Sequence, residues 1–484
     1  MDAQVKAGSL VHTIADKEIS RSVTEFIDEL ASEVAELIRG FVSGGVSAAS
    51  TFTLENLLAN CVREFARKVI GWLVSSLEPE IEQMPGTVKH NGKKFRRLSG
   101  KTQRSNIVTS FGDILFSRAC YRQGRDGKTI FPLELLLGLE NGFTPAAADL
   151  VGKQFATSGS TQGRTREMIR DRFGISLGNE KLRKLTRTLA TALEPLREET
   201  QVAELMERIQ QARSGGGTPV LSVSRDGVAL GLAPWSFFEM AGVACISVLS
   251  DGKKLGTVHL GRTPEANQET LSSDLTSLLT AVVKVCGDDL PEIVYVTDAG
   301  KIETAYWKNV LRKLFVDGRR IKITRVVDYY HASERLTTIA DALKLDRESR
   351  ADWLSRARGL LLEPGGHGRV LRSIAKMKSV HGYKSSLASD AEKAEKYLRR
   401  YKRFMDYAGA RTRHYPIGSG VVESACKQIV RERMKLSGMR WHREGGQQIM
   451  TLRCILLSKI WSKVYEKWLQ SKPTVADLMP SGDC

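Results

Sequence analysis

Residues 221–227 read Leu-Ser-Val-Ser-Arg-Asp-Gly, a run that predicts a buried strand ending on the carboxylate of Asp226 and followed by a glycine turn. Two later apolar stretches end in the same way on Asp298 and Asp328. An aspartate just past an apolar strand is held rigidly at the edge of a sheet, and neighbouring strands of this kind bring their carboxylates together. Because clustered carboxylates repel one another, the pattern favours a bound divalent cation that prefers oxygen ligands, Mg²⁺ or Mn²⁺.

The order of the predicted elements around these acids indicates an α/β fold. Three strands come in succession, and the strands that follow are separated by predicted helices at 267–285 and 302–315. A charge-rich helical stretch at 332–410 interrupts the pattern, and Gly-Ser-Gly at 418–420 then precedes a helix that carries Glu423. The order β-β-β-α-β-α-β-α is that of a ribonuclease H-like catalytic core with a helical insertion.

The composition favours a polyanionic partner. Lys and Arg number 73 against 55 for Asp and Glu, a formal charge of +18 over 484 residues, which is typical of nucleic-acid-binding proteins, although general solubility is an alternative reason. No run reaches the roughly 18 apolar residues of a membrane span, and the N-terminus has no signal-peptide core, so we expect a cytoplasmic protein without membrane contact. The seven cysteines are scattered singly without a C-x-x-C pair, so we predict neither zinc nor disulfides.

The first 85 residues are predicted to be helical. Apolar residues follow helical spacing over 22–41 and again over 54–77, and a glycine-containing break lies between them. The two stripes serve either ordinary core packing or contact between copies of the chain.

Residues 87–134 are predicted to form β structure, with a hairpin that turns at Gly112-Asp113. This region is basic, and two interpretations stay open, a phosphate-contacting face or a merely solvated one. The basic residues concerned are Lys89, Lys93, Lys94, Arg96, Arg97, Lys101, Arg104, Arg118 and Arg122.

Residues 144–195 carry a three-helix pattern. A helix begins at Thr144-Pro145, a second spans 164–173 before Gly174, and a third spans 180–193. A helix, a short glycine-containing turn and a basic helix favour a helix-turn-helix, although similar helix pairs occur in proteins that bind nothing. The candidate DNA contacts on the third helix are Lys181, Arg183, Lys184 and Arg187. A charged helix at 194–213 and a flexible joint at 214–219 follow, and we place a domain boundary at that joint.

Three acids could support phosphodiester cleavage, which needs an activated water or hydroxyl and relief of charge on the leaving oxygen. Two metal ions about 3.5–4 Å apart supply both, and several converging carboxylates hold them. Asp226 and Asp298 would come from strand ends and Glu423 from a helix. Lys427 and Arg431 follow at one-turn intervals and could contact backbone phosphates. For Glu423 alone, an i,i+4 pair with Lys427 on a solvated helix is the alternative.

Several segments resemble those of bacterial insertion-sequence transposases of the ISKra4 type, which are related to the eukaryotic Mutator-like enzymes. The similarity covers roughly residues 85 to 460. The segments that carry it are Asp226-Gly227, Val296-Thr297-Asp298-Ala299-Gly300, Asp328-Tyr329-Tyr330-His331, Gly418-Ser419-Gly420-Val421-Val422-Glu423-Ser424-Ala425-Cys426-Lys427-Gln428 and Lys435-Leu436-Ser437-Gly438-Met439-Arg440-Trp441.

The resemblance implies a DDE transposase in which Asp226, Asp298 and Glu423 bind two Mg²⁺ or Mn²⁺ ions. It implies an accessory D-x-x-H signature at Asp328 and His331. It also implies a bacterial, nucleoid-associated homo-oligomer that binds the terminal repeats of its element and target DNA. We include Arg440 and Trp441 among the candidate DNA contacts.

The chain departs from the family pattern at three places. The cysteine-rich zinc element of many relatives is reduced to Cys120, so we predict no zinc. Thr297-Asp298-Ala299-Gly300 stands where Gly-Asp-Gly-Ala is expected, and residues 1–85 match no segment of the family.

These inferences divide the chain into seven regions. They are a helical N-terminal region with a possible role in oligomerisation (1–85), a basic β-hairpin region (86–140), a helix-turn-helix domain (141–213), the first part of the ribonuclease H-like core (218–334), a helical insertion (335–412), the last core helices with Glu423 (413–465) and a C-terminal tail (466–484).

We therefore expect DNA transposition by metal-dependent cleavage and strand transfer. The alternatives are a catalytically inactive or domesticated DNA-binding protein and a ribonuclease H-like nuclease. Asp298 rather than Asp328 is expected to be the second metal ligand, because the first strand of a ribonuclease H-like sheet neighbours the fourth. In the competing assignment, Asp328 binds the metal and Asp298 caps a helix.

Overall fold

The structure is a computed structural model that describes residues 9–157, 159, 161–234 and 238–479, without the side chains of 104–106. The chain forms two compact units. The first runs to Leu189 and includes the C-terminal segment from Tyr465, and the second is Ala190–Val464. The division thus falls inside a helix, whereas the joint predicted at 214–219 is where that helix leads into the first strand of the second unit.

The first unit begins with two long helices, α1 (Asp16–Ser43) and α2 (Ala48–Ser76), which confirms the two predicted helices and the break between them. Ser47 caps α2, because its hydroxyl accepts the N–H of Ser50 at 3.1 Å. Few side chains of this hairpin are buried, and many apolar ones are exposed. The exposed apolar residues on the two helices are Ile19, Ile27, Ile38, Val42, Phe52, Leu57, Val62 and Leu73.

An antiparallel four-stranded sheet follows, in the order β1-β2-β3-β4, which confirms the predicted β region. Its strands are β1 (Thr87–His90), β2 (Lys93–Thr109), β3 (Gly112–Arg122) and β4 (Thr129–Ile130), and α3 (Pro132–Leu136) comes next. The predicted hairpin turn is wrong by two residues, because β2 ends at Thr109 and β3 already begins at Gly112. The hydroxyl of Thr109 closes the turn by accepting the N–H of Phe111 at 3.0 Å and donating to the carbonyl of Gly112 at 2.7 Å.

The basic residues of this sheet fall into two groups. Arg118 is 4% exposed, donates to Glu134 at 2.7 Å and lies 4.0 Å from the centre of the Phe131 ring, so it stabilises the interior. Arg97 likewise donates to the carbonyl of Met84 at 2.6 Å. Other members, including Lys93, Lys94 and Arg96, are exposed.

Three helices complete the main part of the first unit, namely α4 (Pro145–Thr157), α5 (Gln162–Phe173) and α6 (Asn179–Ser214). As predicted, Gly174 ends α5, with φ +67°. The predicted third helix and the charged helix after it are wrong as separate elements, because α6 continues through Pro195 to Ser214. Two side-chain hydrogen bonds join α5 to the start of α6, from Arg166 to Asn179 at 2.8 Å and from Arg183 to Gln162 at 3.3 Å.

The second unit is mixed α/β and contains a five-stranded sheet in the order β11-β8-β5-β6-β7. The strands and the helices between them are β5 (Pro219–Gly231), β6 (Phe238–Ser250), β7 (Lys253–Arg262), α7 (Glu269–Cys286), β8 (Glu292–Thr297), α8 (Lys301–Asn309), β9 (Phe315–Val316), β10 (Arg319–Arg320) and β11 (Ile323–Val327). β5 pairs antiparallel with β6 and parallel with β8, and β8 pairs parallel with β11. β9 and β10 form a separate ribbon.

Two predictions about the second unit are wrong, one on β5 and one on the helix after β8. β5 does not end at Asp226 with a glycine turn but continues to Gly231, and Gly227 lies opposite Gly242 of β6. Gly227 is therefore a residue within a strand and not part of a turn. The helix predicted at 302–315 ends at Asn309, and the chain then forms the β9–β10 hairpin around Asp317-Gly318, both with positive φ.

Helices follow β11, as predicted for 332–410. They are α9 (Tyr329–Ala342), α10 (Arg347–Leu361), α11 (Gly366–His381), α12 (Ala388–Tyr401), α13 (Tyr407–Thr412), α14 (Gly420–Cys426), α15 (Glu432–Met434), α16 (Arg443–Leu457), α17 (Trp461–Gln470) and α18 (Val475–Leu478). One apolar core joins Val296 and Val327 of the sheet to Leu336 of α9 and Leu398 of α12. The opposite face of the sheet packs against α7. In the described part of the chain, no helix combines the length and apolarity needed to cross a membrane.

The exposed apolar face of α1 predicts contact between copies of the chain. Ile27 and Ile38 are 49% and 48% exposed, and eleven residues of α-helix bring them to nearly the same side. The double variant Ile27→Glu/Ile38→Glu should lower the oligomeric state measured by light scattering, because charges would have to be buried in the contact. Val285→Glu, at a 60% exposed position on α7, is the control and should not change it. A monomeric parent chain would contradict the prediction.

Candidate active site

Three carboxylates come from three separate elements of the second unit. Asp226 lies within β5, Asp298 directly follows β8, and Glu423 lies in the first turn of α14. The predicted neighbourhood of the strands is confirmed, because β8 lies beside β5 while β11, which precedes Asp328, lies one strand further out. The sheet therefore places Asp226 and Asp298 on adjacent strands.

Asp226 is held close to the other acids. Its Oδ1 accepts the N–H of Gly227 at 2.7 Å, and its Oδ2 lies 3.9 Å from the Sγ of Cys426 on α14. Burial raises the pKa of Asp226 to about 6, and the negative charges of Asp298 and Glu423 add to this effect. Asp226 is thus near enough to both other acids for their charges to act on it.

Asp298 lies in a tight turn between β8 and α8. Its Oδ1 accepts the N–H of Gly300 at 2.9 Å, and the next residue, Ala299, adopts the left-handed conformation with φ +65°. The N-cap position of α8 is occupied by Gly300. Asp298 is therefore not the N-cap residue that the competing assignment required.

Asp328 has a different environment, because it is fully buried and caps α9. One oxygen accepts the N–H groups of Tyr330 and His331, and the other accepts the N–H and the hydroxyl of Ser419. Burial alone would raise the pKa of Asp328, but the hydrogen bonds outweigh it and hold the pKa at about 2. A carboxylate offers about four lone-pair sites, so these four donors leave Asp328 little capacity to bind a cation.

His331 carries a positive charge beside the acids. Its Nδ1 lies 3.7 Å from Oδ1 of Asp328, an ion-pair distance, and this carboxylate is the main reason that the pKa of His331 is raised to about 9. Candidate ligand atoms of Asp328, His331 and Glu423 lie within 4.8 Å of one another. In its protonated form an imidazole has no lone pair for a metal, so the raised pKa of His331 favours Glu423 as the ligand of this group.

Ser419 links the two sets of acids. Its hydroxyl bonds to Asp328 and lies 2.9 Å from Oε1 of Glu423, although a hydroxyl has only one proton to donate. The exposed side chain of Glu423 is therefore weakly held, while the start of α14 is anchored to Asp328.

Two charged residues near this site were not predicted from the sequence. Glu303 on α8 is 7% exposed, and burial raises its pKa, with contributions from Asp298 and Asp226. Arg225 is 1% exposed and donates to Gln268 at 2.7 Å on the other face of the sheet. Glu303 could have been predicted from the sequence, because it lies in the first turn of the helix that follows Asp298. No pattern in the sequence indicates that Arg225 is buried.

The predicted DNA contacts differ in how they are placed. Arg183, Lys184 and Arg187 of α6 are exposed, whereas Lys181 is partly buried and lies 5.0 Å from the centre of the Phe143 ring. None of these residues is near the three acids in sequence, and they belong to the first unit.

Lys427 and Arg431, which follow Glu423, are both exposed. The segment Lys427–Arg431 is a π-helix, so the α-helical spacing assumed for these two side chains is wrong. A π segment next to Glu423 is a local departure of the kind often found at functional sites.

Arg440 and Trp441 also differ in their environments. Arg440 is exposed and lies 5.5 Å from the centre of the Phe238 ring. Trp441 donates its indole N–H to Met434 at 2.9 Å, and its backbone N–H donates to the carbonyl of Gly231 at 3.1 Å. These contacts give Trp441 a structural role at the end of β5.

No protein-family model matches this chain, and no curated protein matches it at a significant level.

The environments of Asp328 and Asp298 predict opposite effects of amide substitution. Asp328→Asn should reduce the free energy of unfolding by about 2–4 kcal/mol, because the amide NH2 cannot accept the N–H of Ser419 and a buried donor is left unsatisfied. Asp298→Asn should leave stability unchanged or slightly higher, since it removes charge repulsion. Chemical denaturation measures both effects, and equal destabilisation by the two substitutions would contradict this assignment.

The raised pKa of Asp226 predicts how cation binding depends on pH. The folded pKa of about 6 lies above the ordinary value of 3.8, so without a cation the contribution of Asp226 to stability falls as pH rises from about 4 to about 6. Mn²⁺ requires the ionised carboxylate and should raise the melting temperature clearly at pH 8 but only weakly at pH 5. Asp226→Asn is the control and should abolish most of the rise at pH 8. An equal Mn²⁺ effect at both pH values would argue against this role.

Proposed function

We propose that this chain is the transposase of an insertion sequence, a DDE enzyme that cleaves phosphodiester bonds at element ends and joins them to target DNA. The observation that carries the proposal is the shared electrostatic neighbourhood of Asp226, Asp298 and Glu423, three acids from β5, the end of β8 and α14. These acids are far apart in sequence but share one neighbourhood in the fold. Among the described contacts, no Lys or Arg forms an ion pair with Asp226.

The topology of the second unit supports a ribonuclease H-like core. Three antiparallel strands, β5 to β7, are followed by β8 and β11, which add parallel to the other side of β5. This order agrees with the β-β-β-α-β-α-β-α pattern once β9–β10 is regarded as an insertion in the loop after α8. The helices α10 to α13 then constitute the helical insertion, and α14 returns Glu423 to the sheet.

The donor set suits Mg²⁺ or Mn²⁺, since the free ligand atoms are carboxylate oxygens. Asp226, Asp298 and Glu423 would hold two such ions, which supply an activated hydroxyl and stabilise the charge on the leaving oxygen. The other residues of the site act through their own charge and position. Asp328 keeps His331 protonated, and the imidazolium can donate to a phosphate oxygen of the strand beside Glu423.

Exposed cations provide the proposed DNA interface. Lys427 and Arg431 lie on the segment that directly follows α14, where they can contact phosphates next to the cleaved bond. Lys184 and Arg187 on α6, with the exposed lysines of the first sheet, are proposed to bind the terminal repeats through the helix-turn-helix region. Such contacts contribute a slope of about −0.9 per phosphate in log K against log salt.

Cleavage of DNA that carries the ends of the element, in Mg²⁺ or Mn²⁺, tests the proposal. The repeats can be identified in the DNA that flanks the gene. Asp226→Ala, Asp298→Ala and Glu423→Ala should each reduce cleavage by at least about 10²-fold. Binding of the end DNA should stay nearly intact, because the exposed cations remain.

Glu432→Ala, an exposed acid less than three turns beyond Glu423, is the matched control and should cleave normally. Full cleavage by the Glu423→Ala protein would refute the proposed triad. Cleavage without any joined product would instead indicate a ribonuclease H-like nuclease, and binding without cleavage by the parent chain would indicate an inactive DNA-binding protein.

A further inference from the structure

The turn that presents Asp298 is contacted by the helical insertion. Tyr397 of α12 donates its hydroxyl to the backbone carbonyl of Asp298 at 2.7 Å. Tyr401, one turn later, donates to the carbonyl of Ala299 at 3.2 Å. Two consecutive carbonyls of the turn are thus held by two phenols that lie about 100 residues further along the chain.

We propose that Tyr397 is a positioning residue for cation binding, which acts with Tyr401 to fix the Asp298 turn so that its carboxylate points towards Asp226. The helical insertion is then part of the active site rather than an appendage to it. This inference rests on the proposed function in one respect, that Asp298 is a cation ligand.

The turn needs such support because its conformation is unfavourable. Ala299 has φ +65°, and the left-handed conformation is unfavourable for a residue with a Cβ. Backbone strain of this kind persists only where surrounding contacts over-determine it. Besides Tyr401, the hydroxyl of Thr304 lies 3.2 Å from the carbonyl of Ala299 and donates to it.

The two tyrosines are themselves held in place. The Tyr397 ring lies 5.2 Å from the guanidinium of Arg335 on α9, and it contacts the Tyr401 ring edge-on with centroids 5.0 Å apart. On the other side of Tyr401, the buried Arg325 of β11 lies 5.6 Å from the ring centre and donates to Thr304 at 2.9 Å.

These contacts separate the role of the hydroxyl from the role of the ring. The ring of Tyr397 packs against α9 and Tyr401, which a phenylalanine would preserve. Only the hydroxyl reaches the carbonyl of Asp298. Tyr397→Phe should therefore keep the fold and loosen the turn, and loss of such a supporting hydrogen bond typically weakens metal affinity 10- to 100-fold.

The test is Mn²⁺ binding to the full chain without DNA, measured by titration calorimetry and by the rise in melting temperature with Mn²⁺ concentration. Tyr397→Phe should bind Mn²⁺ at least about tenfold more weakly than the parent chain, with a similar melting temperature in the absence of metal. Tyr383→Phe is the matched control. Its hydroxyl donates to Glu395 on the same helix α12 at 2.7 Å but does not contact the Asp298 turn, so Mn²⁺ affinity should stay unchanged.

Two results would overturn the inference. One is an unchanged Mn²⁺ affinity in Tyr397→Phe, and the other is equal weakening in Tyr397→Phe and Tyr383→Phe, which would indicate general loosening of the insertion. The Asp298→Asn variant tests the premise that Asp298 is a cation ligand. If this variant binds Mn²⁺ as tightly as the parent chain, the metal assignment of the proposed function fails together with this inference, whereas weak binding by Asp298→Asn alone leaves the proposed function intact.

Discussion

The buried carboxylate of Asp328 is the junction on which the candidate site depends. Its oxygens accept hydrogen bonds from the first turn of α9 and from Ser419, the N-cap residue of α14. A buried charge is stable only where donors surround it, and the four donors meet that condition. Because both helices begin at the same anion, the helix that carries Glu423 is held at the end of the sheet where β5 and β8 bring Asp226 and Asp298.

The charges around this junction have two distinct functions. Asp328 accepts four hydrogen bonds and raises the pKa of His331, whereas among the described contacts Asp226 and Asp298 each accept one backbone N–H and Glu423 lies near only the hydroxyl of Ser419. The charges of Asp298 and Glu423 add to the effect of burial in raising the pKa of Asp226. The same chemical group therefore serves as a structural anchor at one position and as a candidate ligand at the others, and the number of hydrogen-bond donors around each decides which.

The helical insertion contributes to this balance rather than lying apart from it. Leu398 of α12 shares a core with Val296 of β8, and two tyrosines of that helix reach the turn that follows β8. The same helix thus contributes apolar side chains to the core and two phenols to the turn. Packing and the geometry of the site are thus coupled through one helix.

The amino-acid sequence by itself determined the local features, since apolar periodicity and strand-ending acids depend only on neighbouring residues. It predicted α1, α2 and the order of β5 to β8 and β11, but not the β9–β10 hairpin, and the ribonuclease H-like order implied the adjacency of the Asp226 and Asp298 strands. Only the tertiary structure decided what depends on distant contacts. Gly227 continues β5 because it pairs with Gly242 of β6. Asp328 is an anchor because Ser419, 91 residues later in the chain, donates hydrogen bonds to it. Tyr397 donates a hydrogen bond to Asp298, which lies 99 residues earlier. Such contacts leave no periodic trace along the chain, because they are made by single side chains whose partners are chosen by the packing of the whole unit.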